Sequence, residues 1–227
     1  MSQVKDLVDA IDTFITGCKS DGTWNAIKSS CIMAGWDNLN GALTPLVGTA
    51  PTNFNCVSGD YNRKTGLVGD GSTKYLDTNR NNNADPQNDN HNAFWATAFN
   101  AISISIMGAA DPFNETGANS LGIDATSNVF SRNRTATGTI GTGSSTGFIG
   151  MDRSNSSSYI RRSQSTNTTI TESSETPTNR NVFVFGRAAS SLAPSRLVFY
   201  SIGESLDLAD LETRVSNLIT AIDGAIP

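Results

Sequence analysis

Residues 65–79 read TGLVGDGSTKYLDTN. Leu67 and Val68 are apolar, Gly69-Asp70-Gly71-Ser72 makes a turn, and Lys74-Tyr75-Leu76-Asp77 alternates polar with apolar. Both glycines of the turn are free to take positive φ, and the alternation is that of a half-buried strand. The stretch is expected to be a hairpin that opens a sheet domain, because the chain before it reads as helical and the chain after it as sheet.

Upstream, residues 3–18 place Val4, Leu7, Val8, Ile11, Phe14, Ile15 and Cys18 at spacings of three and four, opposite Lys5, Asp6, Asp9 and Asp12. That is an amphipathic helix. Ser20 or Asp21 is expected to cap a second helix running to about Ala34, with Trp24, Ile27, Cys31 and Ile32 as its apolar face and Gly35 closing it. A connector rich in Gly and Pro follows to Pro51.

Downstream the period falls to two. Candidate strands cover residues 54–57, 66–68, 73–77, 91–99, 103–107, 120–124, 128–133, 146–152, 157–163, 166–172, 181–187 and 196–202, separated by clusters such as residues 138–145 and 155–157. Short strands punctuated about every ten residues indicate a sandwich or barrel. Residues 102–106, Ile-Ser-Ile-Ser-Ile, alternate cleanly. Residues 182–185 and 197–200 do not alternate, so both are expected in mid-sandwich, buried on two sides. A last helix is predicted from Leu206 or Asp207 to about Ala225. Its Leu208, Leu211, Val215, Leu218 and Ile222 form a short heptad seam. Each such side chain stabilises by about 1.5–3 kcal/mol when buried, so the seam requires a cover. The N-terminal helices or the sandwich could supply it, and so could copies of the same chain around a symmetry axis.

Composition narrows the function classes. The 227 residues are only 37% apolar and carry a net charge of −5, divided as −2 over residues 1–52, +1 over 53–200 and −4 over 201–227. No basic stripe exists, so nucleic acid is not an expected partner. No apolar run reaches membrane-spanning length, and the acidic start lacks the basic region of a signal peptide, so synthesis in a cytoplasm without export is expected. Cys18, Cys31 and Cys56 fit no disulfide framework and, with one histidine in the chain, no zinc motif. They are expected as buried small hydrophobes.

The common catalytic patterns fail on residue order or spacing. Gly66 and Gly71 have phosphate-loop separation, but Ser72-Thr73 precede Lys74 and a strand follows where a helix is needed. No strand carries the paired carboxylates of a glycosidase; Glu172-Ser-Ser-Glu175 reads as a solvated turn. His91, beside Asn90 and Asn92, is expected to be a surface or hydrogen-bonded structural histidine. No catalytic residue or cofactor is expected, and no metal-binding motif is present.

The most unusual stretch is residues 79–90, NRNNNADPQNDN. Three readings stand: calcium held by Asp85, Asp89 and nearby amides, glycan or partner contact through amides that donate and accept, or a loop closed on itself by Asx-turns. Trp36, after a helix cap and before a polar loop, is the aromatic expected to be most exposed. Trp36, Asn79, Asn81, Asp85 and Asp89 are the candidate ligand-binding residues. Val4, Val8, Ile11, Ile15, Leu208, Leu211, Val215, Leu218 and Ile222 are the candidate assembly residues.

Two segments resemble the concanavalin A-like, laminin-G-like sandwich: GLVGDGSTKYLD at residues 66–77 and RLVFYSIGESLDLADLETRV at residues 196–215. The chain as a whole is similar to modules of bacteriophage tail fibres and related virion proteins. The similarity lies in five ordered blocks: WNAIKSSC at 24–31, GALTPLVGTAPTN at 41–53, GDYNRKTGLVGDGSTKYL at 59–76, NRNNNADPQN at 79–88 and YSIGESLDL at 200–208. The resemblance implies a mainly β, jelly-roll sandwich flanked by amphipathic helices, with a helical segment and connector over 1–52, a sandwich over 53–203 and a helix over 204–227. It also implies a virion component, of a kind often trimeric, whose partners are copies of itself and other virion proteins; with no catalytic pattern in the chain, a non-enzymatic one is expected. With no shaft sequence before the module, a decoration protein of the capsid or tail or a short fibre is expected. The alternative is a receptor-recognition module contacting host surface glycans.

Overall fold

The computed structural model describes residues 3–99, 104–143 and 146–226, and the side chains of all of these except 3, 4, 104, 142 and 143. Ile102 and Ser103, which begin the alternating run, lie outside the described residues. In chain order the elements are α1 Gln3–Ser20, β1 Ile27–Ile32, α2 Leu39–Ala42, β2 Pro45–Val47, β3 Thr52–Phe54, β4 Tyr61–Asn62, β5 Gly66–Val68 and β6 Tyr75–Asn81. Then come β7 Asn90–Phe99, β8 Ile104–Ala109, β9 Ala118–Ile123, β10 Asn128–Thr135, β11 Thr139–Gly143, β12 Gly147–Arg153 and β13 Tyr159–Ser163. The chain ends with β14 Thr166–Ile170, β15 Asn181–Val184, β16 Gly186–Ala188, β17 Ser191–Leu192, β18 Ser195–Gly203 and α3 Leu208–Ala225.

Among the described residues these strands form two nine-stranded sheets, antiparallel but for one parallel bridge between β16 and β8. The first runs β14-β13-β12-β7-β18-β1-β2, with β5 and β4 added beside β18. The second runs β11-β10-β9-β8-β15-β6-β3, with β16 and β17 beside β8. The fold is the mainly β sandwich the sequence indicates. Between the sheets lie Leu76, Phe94, Met107, Leu121, Met151, Val184 and Leu197, all fully buried.

The stretch at 65–79 is not a hairpin. β5 pairs with β18 in the first sheet, whereas β6 pairs with β15 and β3 in the second. The glycine turn is a corner that carries the chain from one sheet to the other. Asp70 holds it, accepting from the backbone N–H groups of Ser72, Thr73 and Lys74. Gly71 has φ +74°, as expected; Gly69 is needed for space instead, since a Cβ there would lie 2.6 Å from the Ala193 carbonyl.

The second helix does not exist. Only a 3-10 turn forms at Trp24–Ala26, and β1 begins at Ile27. β1 lies between β18 and β2, with Ile27, Cys31 and Ile32 buried. Because both its faces are covered, it has no two-residue alternation to read. β1 and β2 also hydrogen-bond into the first sheet, so residue 52 does not mark a structural boundary. The expected separator at 138–145 contains β11.

α1 and α3 lie together on the outer face of the first sheet. Leu208, Leu211, Val215, Leu218 and Ile222 are buried within the chain, among Ala10, Phe14 and Cys18 of α1 and Phe148, Val198 and Phe199 of the sheet. The Phe14 and Phe199 rings meet edge-on at 5.9 Å. Arg214 of α3 binds Asp21 through two nitrogens at 2.6 and 2.7 Å, and Arg162 of β13 pairs with Glu212. The heptad seam is therefore filled by this chain's own helix and sheet, and has no side chains left over for a second copy. Ile11 and Ile15 pack partly on the same cluster, Val8 is 58% exposed, and the Val4 side chain lies outside the described residues.

β18 is buried on both faces, with Leu197 and Tyr200 inside the sandwich and Val198 and Phe199 under the helices. β15 differs from expectation: Val182 and Val184 point inward, but Phe183 is half-exposed on the outer face of the second sheet. Neither long helix covers that face.

Candidate functional site

The expected ligand loop is bound up in its own structure. Asn79 and Asn81 end β6, where the Asn79 amide donates to the Ala50 carbonyl and that of Asn81 to Asn179 Oδ1. The Asp85 carboxylate forms an ion pair with Arg80, and Asp89 Oδ1 accepts from the Ser205 N–H at 2.6 Å. Buried Arg134 fills the loop from within, donating to the carbonyls of Asn82 and Pro86. Asn82 adds bonds to Gly117, Thr178 and Asn119. The amide-rich composition thus serves internal closure, with Asx-type contacts such as Asn83 N–H to Asn81 Oδ1. Asp85 and Asp89 are engaged by separate partners. Among the described residues no cluster of three or more His, Cys, Asp or Glu side chains is arranged to hold a metal.

Trp36 is not a free platform either. Its Nε1–H donates to the Ile32 carbonyl at 2.7 Å and its ring packs against Gly41 and the sandwich core. His91 is fully buried, with Nδ1 2.6 Å from the Glu204 carbonyl and Nε2 2.7 Å from Ser201 Oγ. The carbonyl can only accept, so Nδ1 carries the proton and Nε2 accepts from Ser201. Burial pushes the imidazole down to about 4. This is the hydrogen-bonded structural histidine expected.

A cleft of about 400 Å³ lies between α1 and α3, lined by Asp6, Asp9, Thr13, Arg214 and Asn217, but the exposed aromatics that could receive a ligand lie on the open face of the second sheet. Phe54, Tyr75 and Phe183 come from three adjacent strands, since Phe54 pairs with Tyr75 across β3–β6 and Phe183 with Asp77 across β15–β6. Their rings stack in series, at 4.4 Å and then 4.9 Å between centroids. On the same sheet a cleft of about 410 Å³ is walled by Phe113, Phe130, Ile123 and Ile140, with Asp124, Arg187, Ser105 and Ser191 as its polar groups. Phe113 is 44% and Ile140 57% exposed. The Phe113 and Phe130 rings are 5.3 Å apart and tilted by 42°. A second cleft of about 300 Å³ lies beside Phe183, Asp77 and Asn181, and Arg187 lines both.

The segment bearing Phe113 is held by three arginines. Buried Arg132 donates to the carbonyls of Phe113, Glu115 and Ala136. Arg180 binds Glu115 and the Asp111 carbonyl, and Arg187 Nη1 donates to the Ala110 carbonyl at 2.7 Å. Arg187 lies over the Phe113 ring at 5.3 Å. Asp124 closes its own turn, accepting from Thr126 and Asn128, chiefly the Asn128 N–H, which hold its carboxyl below the usual value. An exposed aromatic thus projects from a rigid segment beside polar groups, an arrangement pre-formed to receive a ligand with one apolar face.

None of these cleft residues is among the candidates read from the sequence. The one local signal was Asp-Pro-Phe-Asn at 111–114, an aromatic within turn residues. Phe130 and Ile140 lie on strands, where only the sheet's uncovered side separates them from core.

No protein-family model matches the chain, and no curated protein sequence does. Solved structures match in fold. One is a botulinum neurotoxin serotype D binding domain, with a TM-score of 0.59 and 9% identity over 88% of this chain and 52% of that one. Another is domain 4 of AbnA, a GH43 extracellular arabinanase from Geobacillus stearothermophilus, in complex with arabinotriose. There the TM-score is 0.51 and the identity 12%, over 82% of this chain and 99% of that one. The chain thus spans about half the length of the neurotoxin domain. At these identities the likeness is one of fold: both neighbours are β-sandwiches.

Proposed function

We propose that this chain is a non-enzymatic, lectin-like binding module that takes saccharide on the open face of its second sheet. The observation that carries the reading is the pre-formed cleft in which exposed Phe113 stands beside Phe130, Arg187 and Asp124. A sugar ring has an apolar face that lies on an aromatic ring and hydroxyl groups that bond the polar rim. The names of the structural neighbours support it, one being a toxin's binding domain and one an arabinanase domain bound to arabinotriose.

The biological setting belongs to the same proposal. The protein serves on a bacteriophage virion, as a short fibre or a decoration component contacting host surface glycans. The five ordered blocks similar to phage tail-fibre modules support that setting. A homotrimer built on the helical seam is at odds with the burial of that seam, so copies that associate must use another face.

Binding to arrayed bacterial envelope polysaccharides, followed by titration calorimetry on the best glycan, tests the reading. Phe113→Ala removes an exposed ring, so folding should be unaffected while affinity falls at least about tenfold. Trp36→Phe should leave affinity unchanged. A failure to bind any envelope glycan, or binding that Phe113→Ala leaves intact, refutes the assignment. Immunogold labelling of phage particles tests the virion setting separately.

A further inference from the structure

We propose that the saccharide taken by the Phe113 cleft carries a carboxylate, and that Arg187 receives it. The inference rests on the saccharide reading and sharpens its ligand class. Arg187 is the cleft's one cationic lining residue among those described, and it lines the neighbouring cleft as well. No carboxylate forms an ion pair with it among the described residues. The residues outside the description contain no Asp or Glu. Asp111 acts on it through space without ion-pair contact. The other charged groups around it are already engaged: Asp124 within its turn, Arg180 by Glu115, and Asp77 by the Asn79 N–H and the Asn181 amide.

The guanidinium is also oriented. Nη1 is held by the Ala110 carbonyl, and the Phe113 ring lies against it. Nε and Nη2 have no hydrogen-bond partner among the described residues, and neither is sealed from solvent. Those two N–H groups form the side-on fork that matches the two oxygens of a carboxylate. A uronic acid residue supplies both halves of the recognition, a ring face for Phe113 and a carboxylate for Arg187. A half-buried, unpaired cation beside an apolar wall gains more from such an anion than an exposed lysine would, because less water screens the pair.

The test prints each envelope polysaccharide twice, native and after carboxyl reduction to the neutral sugar. The expected result is a signal on uronate-bearing glycans that reduction abolishes. In calorimetry on the native form, Arg187→Gln should weaken binding by about tenfold or more. Arg187→Lys should restore only part, because a point charge cannot supply the fork. Equal binding to native and reduced glycans, or binding confined to phosphate-bearing polymers, overturns the carboxylate inference and leaves saccharide binding intact. Absence of binding to either form overturns both. Should Arg187→Gln lower the melting temperature through loss of the Ala110 bond, the comparison of native and reduced glycans with the unaltered protein still decides.

Discussion

Two buried titratable groups in this protein pull stability in opposite directions with pH. His91 is held neutral by burial, its pKa lowered to about 4 from an ordinary 6.5. The unfolded chain binds that proton more readily, so the stability linked to His91 is complete above about pH 6.5 and is lost as pH falls toward 4. Asp152 is raised to about 6 by burial, against bonds from the Leu206 N–H and Ser205 Oγ that favour its charged form. Here the folded state binds the proton more readily, so stability present below about pH 4 is lost as pH rises through 6. Over about pH 4 to 6 the two effects oppose. In Asp152→Asn only the histidine effect remains, and chemical denaturation should show stability falling more steeply on acidification than in the unaltered protein. A parallel pH profile in the variant would contradict the assignment. A tenfold difference in proton affinity between folded and unfolded chain corresponds to about 1.4 kcal/mol. The Asn neighbours of His91 left it as a surface or a hydrogen-bonded structural histidine; its burial was not legible, because Ser201 and Glu204 reach it from more than a hundred residues away.

The two long helices were legible as elements, and their partners were not. A period of three and four specifies that one face of α3 must be covered, and leaves open by what. Asp207 caps α3 as its position suggests, accepting from the N–H groups of Ala209 and Asp210. Leu211 is fully buried against α1 and the first sheet. Leu211→Ala should therefore cost about 2–5 kcal/mol of unfolding free energy, measured by denaturant titration. Light scattering should return the same mass for variant and parent, since the cavity forms inside one chain. A variant that dissociated from a larger assembly would show the seam to lie between copies. The failed expectation of a helix at 20–34 has a related cause. Ile27, Cys31 and Ile32 have spacings that suit a helix, yet they sit on a strand flanked by β18 and β2 and covered on both sides. A strand buried on both faces has no period of two to betray it.

Across the molecule, burial and chain reversal are set by the pairing of distant segments. The three cysteines illustrate the legible part: Cys18, Cys31 and Cys56 are all buried, and burial pushes each thiol up to about 11. A thiol reagent near neutral pH should leave the folded protein unmodified and titrate all three groups only after denaturation. Rapid reaction of any one in the native state would contradict that placement. The sequence by itself determined the fold class, a glycine turn between two strands at 65–79, the two amphipathic helices and the buried cysteines, because each is written in local spacing and composition. Tertiary structure alone decided that β5 and β6 part into different sheets, that α1 and α3 cover the first sheet rather than another chain, and that the Asn-rich loop closes on Arg134. It also decided which sheet face stays open, and so which aromatics form the cleft. An outward phenylalanine on a strand differs from a core phenylalanine only by what the rest of the chain lays over it, and no local pattern records that.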